Sequence, residues 1–263
     1  MKILISLNSS SNLINFRYSL IKKLIDDKHK LIIVLPKDEN YLNTYKLNIN
    51  AKFIYIKIKR NSFGIINNLF LLFNFYKIIF FNKPHIALFY TIKPNIFGSL
   101  AALFIYRKLN IFNFITGLGT FYFETKFKKN IIIFLYKLSF IKSKKIIFQN
   151  KDDQKYFVEN KILNYNKTIV ISGSGVDTKK YKYSIIKKNT KSFEFLCVSR
   201  LIKQKGIIEL LDAAKMIKYE FPNVNFTIIG SIDYENKSVL LDTDYHELTK
   251  FIHHIDYSDN VYE

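Results

Sequence analysis

The chain has 263 residues, 49% of them hydrophobic, which is ample apolar material for one large or two ordinary folded domains and excludes wholesale disorder. Its formal net charge of +20 would draw polyanions, yet Lys, Ile, Asn, Phe and Tyr predominate throughout and Arg is scarce, a compositional drift rather than an Arg-rich phosphate-reading face, and no nucleic-acid reader motif accompanies it. The single cysteine, Cys197 in the apolar stretch FEFLCVSRL, excludes a disulfide framework or cysteine metal cluster and fits a buried strand thiol in a reducing compartment.

The chain opens on MKILISLNSSSN, a short apolar run closed by polar residues, without the apolar core and cleavage site of an export signal. KILISL reads as a strand, LINFRYSLIKKLIDD repeats apolar residues at helical spacing, and HKLIIVLP is a second strand stopped by Pro36, together a βαβ unit. AKFIYIKI is a third strand. The segment Ser62 to Phe81 approaches the length of a bilayer span, but Asn67, Asn68, Asn74 and Lys77 interrupt it. Those groups are costly in hydrocarbon, which favours a buried helix or one lying against a membrane, and Lys57, Lys59 and Arg60 just before it suit anionic headgroups.

HIALFYT is a fourth strand, PNIFGSLAALFIYRKL a helix with Pro94 near its first turn, and IFNFITG a fifth strand running into the glycine turn GLGT. The helix NIIIFLYKLSFI, the strand KKIIFQN, a helix opening near Asp152 and the strand KTIVISGSG follow. This alternation predicts an α/β fold with a parallel sheet covered on both faces. Residues 177–191, DTKKYKYSIIKKNTK, are basic and lack a long apolar face, so they read as a linker between domains 1–176 and 192–263. Beyond it come the strand FEFLCVSRL, a basic turn, the helix GIIELLDAAKMIKYEF and a strand in PNVNFTIIG. Ile207, Leu210, Leu211, Ala214, Ile217 and Phe221 share the face expected to dock on a sheet, with Glu209, Asp212, Lys215 and Lys218 toward water. Two confident strands are too few for a doubly wound sheet, so this second domain reads as incomplete.

The basic turn holds Arg200 and Lys205 just where a helix begins. A helix N-terminus carries unpaired N–H groups and partial positive charge, so cations there are locally unfavourable unless an anion sits among them; a phosphate fits. The alternative is a pair of solvated surface cations in a Lys-rich protein.

SRLIKQKGIIELLDAAKMIKYEFPNVNFTIIG resembles the start of the second domain of family 4 glycosyltransferases, retaining enzymes of GT-B architecture. VISGSGVDTKKY is similar to that family's stretch before the linker, with Gly175, Val176 and Asp177 matching its Gly-Val-Asp signature. KPNIFGSLAAL and TGLGTFYF resemble a bacterial subgroup that extends sugars on a polyprenyl-diphosphate carrier. The resemblance runs from Met1 to Glu263 and implies a GT-B-like α/β fold: a Rossmann-like N-terminal domain, and an incomplete second Rossmann-like domain that binds the nucleotide-sugar.

The resemblance implies a UDP-sugar donor, no cofactor and no catalytic metal, a polyprenyl-diphosphate-linked glycan acceptor, and a cytoplasmic location peripheral to the anionic inner membrane surface; nucleic-acid binding is a third reading that rests on charge alone, and no nucleic-acid partner is expected. Arg200 and Lys205 are the expected catalytic cations on the leaving diphosphate, and Gly206 lets the backbone approach at the helix start. Gly117 and Gly119 are expected donor-lining positions at a strand end, and Ser10, with Ser9 and Ser11, in the loop after the first strand offers hydrogen bonds to sugar or phosphate. In that loop Asn12 as a helix cap is the competing and favoured reading. Lys93 in TIKPN is a lesser candidate for the acceptor's diphosphate. Many relatives carry a His where this sequence has Thr116 to Gly119. The five histidines have no metal-site spacing and read as structural or surface groups.

The family's second domain is expected to continue with a Glu-x7-Glu element that contacts the donor sugar and ribose. Glu263 cannot supply that pair, so the chain is expected to be a fragment, a frameshifted product or half of a split enzyme, with apolar faces left exposed. The competing reading is a catalytically inactive remnant that binds a membrane or a partner chain.

Overall fold

A computed structural model describes residues 1–38, 43–44, 47–58, 64–105, 108–118, 121, 124–179, 181–183, 192–234, 236 and 238–258. Two compact units divide the chain, Met1–Asp177 and Thr178–Glu263. Most of the predicted linker 177–191 lies outside the described residues, as do Lys59 and Arg60, expected from sequence to meet headgroups.

The first unit is built on a seven-stranded sheet: β1 (Lys2–Ser6), β2 (Lys30–Leu35), β3 (Lys52–Tyr55), β4 (Ile86–Tyr90), β5 (Asn110–Ile115), β6 (Ser143–Phe148) and β7 (Thr168–Val170), in the order β3-β2-β1-β4-β5-β6-β7. Every pairing is parallel. Successive side chains of a strand point to opposite faces, so near-continuous apolar runs feed two cores. Leu4, Ile32 and Val34 join one; Ile3, Ile5, Leu31, Ile33 and Leu35 join the other. The first core is covered by α3 (Ile65–Asn82), α4 (Ser99–Leu103), α5 (Lys126–Ser139) and α6 (Lys151–Glu159), the second by α1 (Ser10–Phe16) and α2 (Tyr18–Asp26). Strand order reverses direction between β1 and β4, and at such a switch point the carboxyl ends of the strands leave a crevice.

Three local expectations are corrected. The first predicted helix is two helices, broken at Arg17, which is buried with its guanidinium 4.4 Å over the Tyr90 ring. The helix cap is Ser9, whose Oγ accepts the Asn12 backbone N–H at 3.1 Å, and not Asn12 itself. The helix predicted from Pro94 onward starts as a π-turn, Pro94–Gly98, before the short α4. Buried amides explain that stretch: Asn95 Nδ2 donates to the Phe114 carbonyl (2.9 Å), while Asn113 Nδ2 donates to Asn95 Oδ1 (3.1 Å) and Ser99 Oγ (2.8 Å). Ser143 Oγ donates to Asn113 Oδ1 at 2.6 Å. The residues of KPNIFGS that carry the resemblance thus also stitch the π-turn to β5 and β6 through a buried network.

The second unit has a parallel sheet of β8 (Phe193–Val198), β9 (Val224–Ile229) and β10 (His253–Ile255) in the order β10-β9-β8, with α7 (Ile207–Glu220) and α8 (Asp242–Phe251). β10 is a third strand beyond the two predicted. Ile207, Leu211 and Ala214 of α7 are buried, whereas Phe221, expected on that face, is 58% exposed. Cys197 on β8 is only partly buried, and burial pushes its thiol pKa up. β8 exposes Phe193, Phe195, Leu196 and Val198.

Candidate functional site

The basic turn of the second unit leaves β8 at Ser199 and reaches α7 through Leu201 and Ile202, both buried. Backbone bonds pin it to the segment after β9: Leu201 N–H donates to the Ser231 carbonyl (3.1 Å) and Lys203 N–H to the Ser238 carbonyl (2.8 Å). A short 3₁₀ turn, Lys203–Lys205, ends on Gly206, whose φ of +73° suits a residue without a Cβ and which serves as the N-cap of α7. The turn is therefore a fixed platform rather than a loose loop. Lys205 stands exposed on it at the helix start. Arg200 is half-exposed, and its Nη1 pairs with Asp233 Oδ2 at 2.5 Å. Lys203 pairs with Asp244 at 2.9 Å, and that hydrogen bond holds the Asp244 carboxyl below its usual range.

An exposed ion pair contributes little, roughly 0.2–1 kcal/mol, so the Arg200–Asp233 contact would cost little to exchange for a bidentate contact with an incoming anion. With the positive end of α7 alongside, Arg200, Lys205 and Gly206 lie on one short connection of the kind that holds a diphosphate.

In the first unit, Ser10 and Gly117 both lie at carboxyl ends of strands, after β1 and β5. Gly117 has a φ of +123° and open space around its Cα. Gly119 lies outside the described residues. Ser10 is fully buried, its backbone N–H donating to Asp38 Oδ2 at 2.7 Å. Among the described residues, Ser10 Oγ is one of several buried atoms along this edge with no hydrogen-bond partner, with Ser6 Oγ, Asn12 Oδ1, Arg17 Nε and Asp38 Oδ1. Buried polar atoms are normally satisfied, so ordered water or a ligand's hydroxyls would complete this polar cluster. Arg17 and Asp38 were not legible as members from sequence; only the folding of α1 and of the segment after β2 toward the same edge brings them there. Just beyond Tyr90, Thr91 has a φ of +67°, rare for a β-branched residue and costing about 1–3 kcal/mol, a strain held at the carboxyl edge. Lys93 follows, only 7% exposed, its Nζ 3.4 Å from Asn68 Oδ1.

Burial raises the Tyr90 phenol pKa to about 12, opposed only in part by the Arg17 charge, while desolvation lowers that of Arg17. The raised value means that the native state keeps this proton between pH 10, where an unfolded tyrosine ionises, and about 12. Its contribution is complete below pH 10 and lost as pH climbs through that window, on the order of 2–3 kcal/mol at the top. Denaturant unfolding at stepped alkaline pH should show this loss, and Tyr90→Phe, which keeps the stack on Phe114, should flatten it.

The Glycosyl transferase 4-like family model matches residues 2–150, and the model Glycosyl transferases group 1 matches residues 177–263. The chain is 32% identical over 253 aligned residues to an N,N'-diacetylbacillosaminyl-diphospho-undecaprenol alpha-1,3-N-acetylgalactosaminyltransferase of Campylobacter jejuni, covering 88% of this chain and 63% of that protein. It therefore spans less than two thirds of that relative's length. Among solved structures, a glycosyltransferase from Rickettsia africae superposes with a TM-score of 0.71 at 16% identity, covering 99% of this chain and 69% of that one. Anabaena HepE in complex with UDP and glucose gives 0.69 at 15% identity, covering 99% and 70%. These likenesses establish the GT-B-like α/β fold. Matched by its model over more than half of its residues, the chain belongs to the glycosyl transferase 4-like family.

Proposed function

We propose that the protein is a glycosyltransferase that moves a sugar from a UDP-sugar to a polyprenyl-diphosphate-linked glycan with retention at the anomeric carbon, working on the cytoplasmic side of the inner membrane. The observation that carries this reading is the pinned basic turn, with Arg200, Lys205 and the glycine-started helix α7 on one connection. The UDP complex of HepE and the lipid-diphospho substrate in the name of the Campylobacter relative support the choice of donor and acceptor.

As the glycosidic bond stretches, negative charge grows on the diphosphate oxygens. Fixed cations aimed there lower the barrier because their attraction is greater in the transition state than in the ground state. Arg200 supplies a planar fork and Lys205 a mobile point charge. In this mechanism the acceptor hydroxyl attacks from the leaving-group face and the departing phosphate takes its proton, so retention needs no enzymic nucleophile. The buried polar cluster at the carboxyl edge of the first unit offers hydrogen-bonding groups of the kind a hydroxyl-rich sugar would meet.

Titration calorimetry with UDP, followed by transfer of labelled sugar from a panel of UDP-sugars to an undecaprenyl-diphosphate-linked oligosaccharide, tests the reading, and the anomeric proton coupling of the product tests retention. Heat with UDP and a labelled lipid product are expected. UDP binding without transfer would favour the inactive binding remnant, and no heat with any nucleoside diphosphate would remove the proposal altogether.

A further inference from the structure

We infer that Tyr245 of α8 and His254 of β10 are positioning residues for the basic turn, holding from behind the backbone that aims Arg200 at the donor diphosphate. This deepens the donor reading proposed above, and rests on it, by naming two side chains that meet no substrate yet set where the cation stands.

The start of the turn is carried by the segment that leaves β9. Ser199 N–H donates to the Ile229 carbonyl (3.0 Å), Leu201 N–H to the Ser231 carbonyl (3.1 Å), and Arg200 itself pairs with Asp233. Gly230 lies in the middle of that run. A Cβ on it would come within 2.0 Å of the Ser199 carbonyl oxygen and 3.2 Å of the Arg200 nitrogen, so its backbone is seated directly against the peptide that leads into Arg200. A shift of Gly230 is therefore passed to Arg200 by contact.

Two bonds fix Gly230 from the opposite side. Its N–H donates to the Ile255 carbonyl at 2.9 Å, and its carbonyl lies 2.8 Å from His254 Nε2. A carbonyl can only accept, so Nε2 carries the hydrogen, and in the neutral ring Nδ1 then accepts from Tyr245 Oη, 2.9 Å away. The phenol ring stands edge-on to the imidazole, with centroids 5.4 Å apart and planes at 88°. Both side chains are partly buried. Tyr245, His254, Gly230 and Ser199 thus form one relay that ends at Arg200. The neighbour of Tyr245 braces the other end of the turn, since Asp244 pairs with Lys203 at 2.9 Å.

Docking α8 does not require this relay, because Leu248 and Ile252 already bury that helix against the core of the unit, each only 1% exposed. Apolar packing sets how close two elements lie; a satisfied hydrogen-bond network also sets their angle. That matters for a cation serving a growing charge, where a displacement of about 1 Å can cost on the order of 100-fold in rate.

Calorimetric titration of the full chain with UDP, well below its melting transition, tests the relay. His254→Leu, which keeps bulk but neither hydrogen bond, should weaken UDP about tenfold, and Tyr245→Phe, which loses only the hydroxyl, about threefold. His254→Gln retains an N–H for the Gly230 carbonyl and should bind within about twofold of the parent. Ile252→Val controls for stability alone: it removes a buried methyl group just before β10, should lower the melting temperature, and should leave UDP affinity within about twofold. In sugar transfer the His254→Leu loss should fall more on kcat than on KM, because a misaimed cation costs most where the diphosphate charge is greatest. Circular dichroism checks folding, and if His254→Leu fails to fold, Tyr245→Phe and His254→Gln carry the comparison. Parent-like UDP affinity in every folded variant that breaks the relay, a His254→Gln that melts like the parent yet binds no better than the broken variants, or an equal loss in Ile252→Val overturns the inference. A chain that binds UDP, weakens on Arg200→Ala and ignores changes at Tyr245 and His254 sinks the positioning role alone. A parent chain that gives no heat with UDP sinks the donor reading beneath it.

Discussion

Replacing Arg200 and Lys205 together by alanine is expected to lower kcat/KM for sugar transfer by roughly 10²–10³-fold, the usual cost of removing preorganised charge from a developing oxyanion. Much of the loss should fall on kcat, because the diphosphate charge these groups meet is largest in the transition state. UDP affinity should fall too, since UDP carries the same diphosphate. The Arg200–Asp233 pair sharpens the test. If that pair is only a structural tether from the end of β8 to the segment after β9, Asp233→Asn should disturb the unit as much as Arg200→Ala does. If Arg200 serves a phosphate, releasing it from Asp233 removes a competing contact worth at most about 1 kcal/mol, so Asp233→Asn should change UDP affinity less than about fivefold while Arg200→Ala weakens it far more. Calorimetry on the two single variants separates these outcomes. Equal losses would take Arg200 out of the donor site.

The two units differ in how much of them was legible in the sequence. β1, β2 and β4 of the first unit are almost continuous apolar runs of five or six residues, a pattern that a doubly covered parallel sheet demands, and β5 and β6, with polar residues among the apolar ones, also fall where the sequence places strands. What escaped depends on contacts between distant segments. The break at Arg17 exists because a guanidinium is seated on Tyr90, 73 positions along the chain, and helical spacing carries no mark of that. β10 is three residues reading His253, His254, Ile255, too short and polar to stand out as a strand. It is fixed instead by His254, whose ring bonds Tyr245 Oη at 2.9 Å and the Gly230 carbonyl at 2.8 Å. The histidines read as structural thus include one that closes the second sheet.

The candidate site divides in the same way. The basic turn was visible because its cations, its glycine and its helix are contiguous in sequence. The polar cluster of the first unit was only half visible: serines after a strand are a local signal, but Asp38 arrives from the segment after β2 and Arg17 from the far end of α1. Adjacency in sequence reports how one loop is built, whereas the carboxyl edge of a parallel sheet gathers several loops at once.

Gly230→Ala is expected to destabilise the second unit by about 2–5 kcal/mol, adding the strain of a forbidden backbone region to overpacking against a rigid neighbour. Gly230 has a φ of +153°, and a Cβ there would lie 2.0 Å from the Ser199 carbonyl oxygen and 2.7 Å from its carbon. Those are backbone atoms at the end of β8, so no side chain can turn aside to make room. Nor can Gly230 move away: its N–H donates to the Ile255 carbonyl at 2.9 Å and its own carbonyl meets the His254 ring, so any shift also breaks the junction with β10. Calorimetric melting should show the transition of the second unit displaced downward by about 10 °C or more, with that of the first unit in place. Because the displaced peptide is the one leading into Arg200, UDP binding should weaken in parallel. Gly206→Ala supplies the contrast. Its φ of +73° is also positive, but a Cβ there meets only Glu209 Oε2 at 3.7 Å, an ordinary contact, so the cost should be limited to about 1–2 kcal/mol of backbone strain. The expected order, Gly230→Ala well beyond Gly206→Ala, follows from space and from backbone angle together, since a φ of +73° lies in the left-handed region that other residues enter at modest cost and a φ of +153° does not; equal melting shifts would mean that the close approach at Ser199 does not constrain this unit.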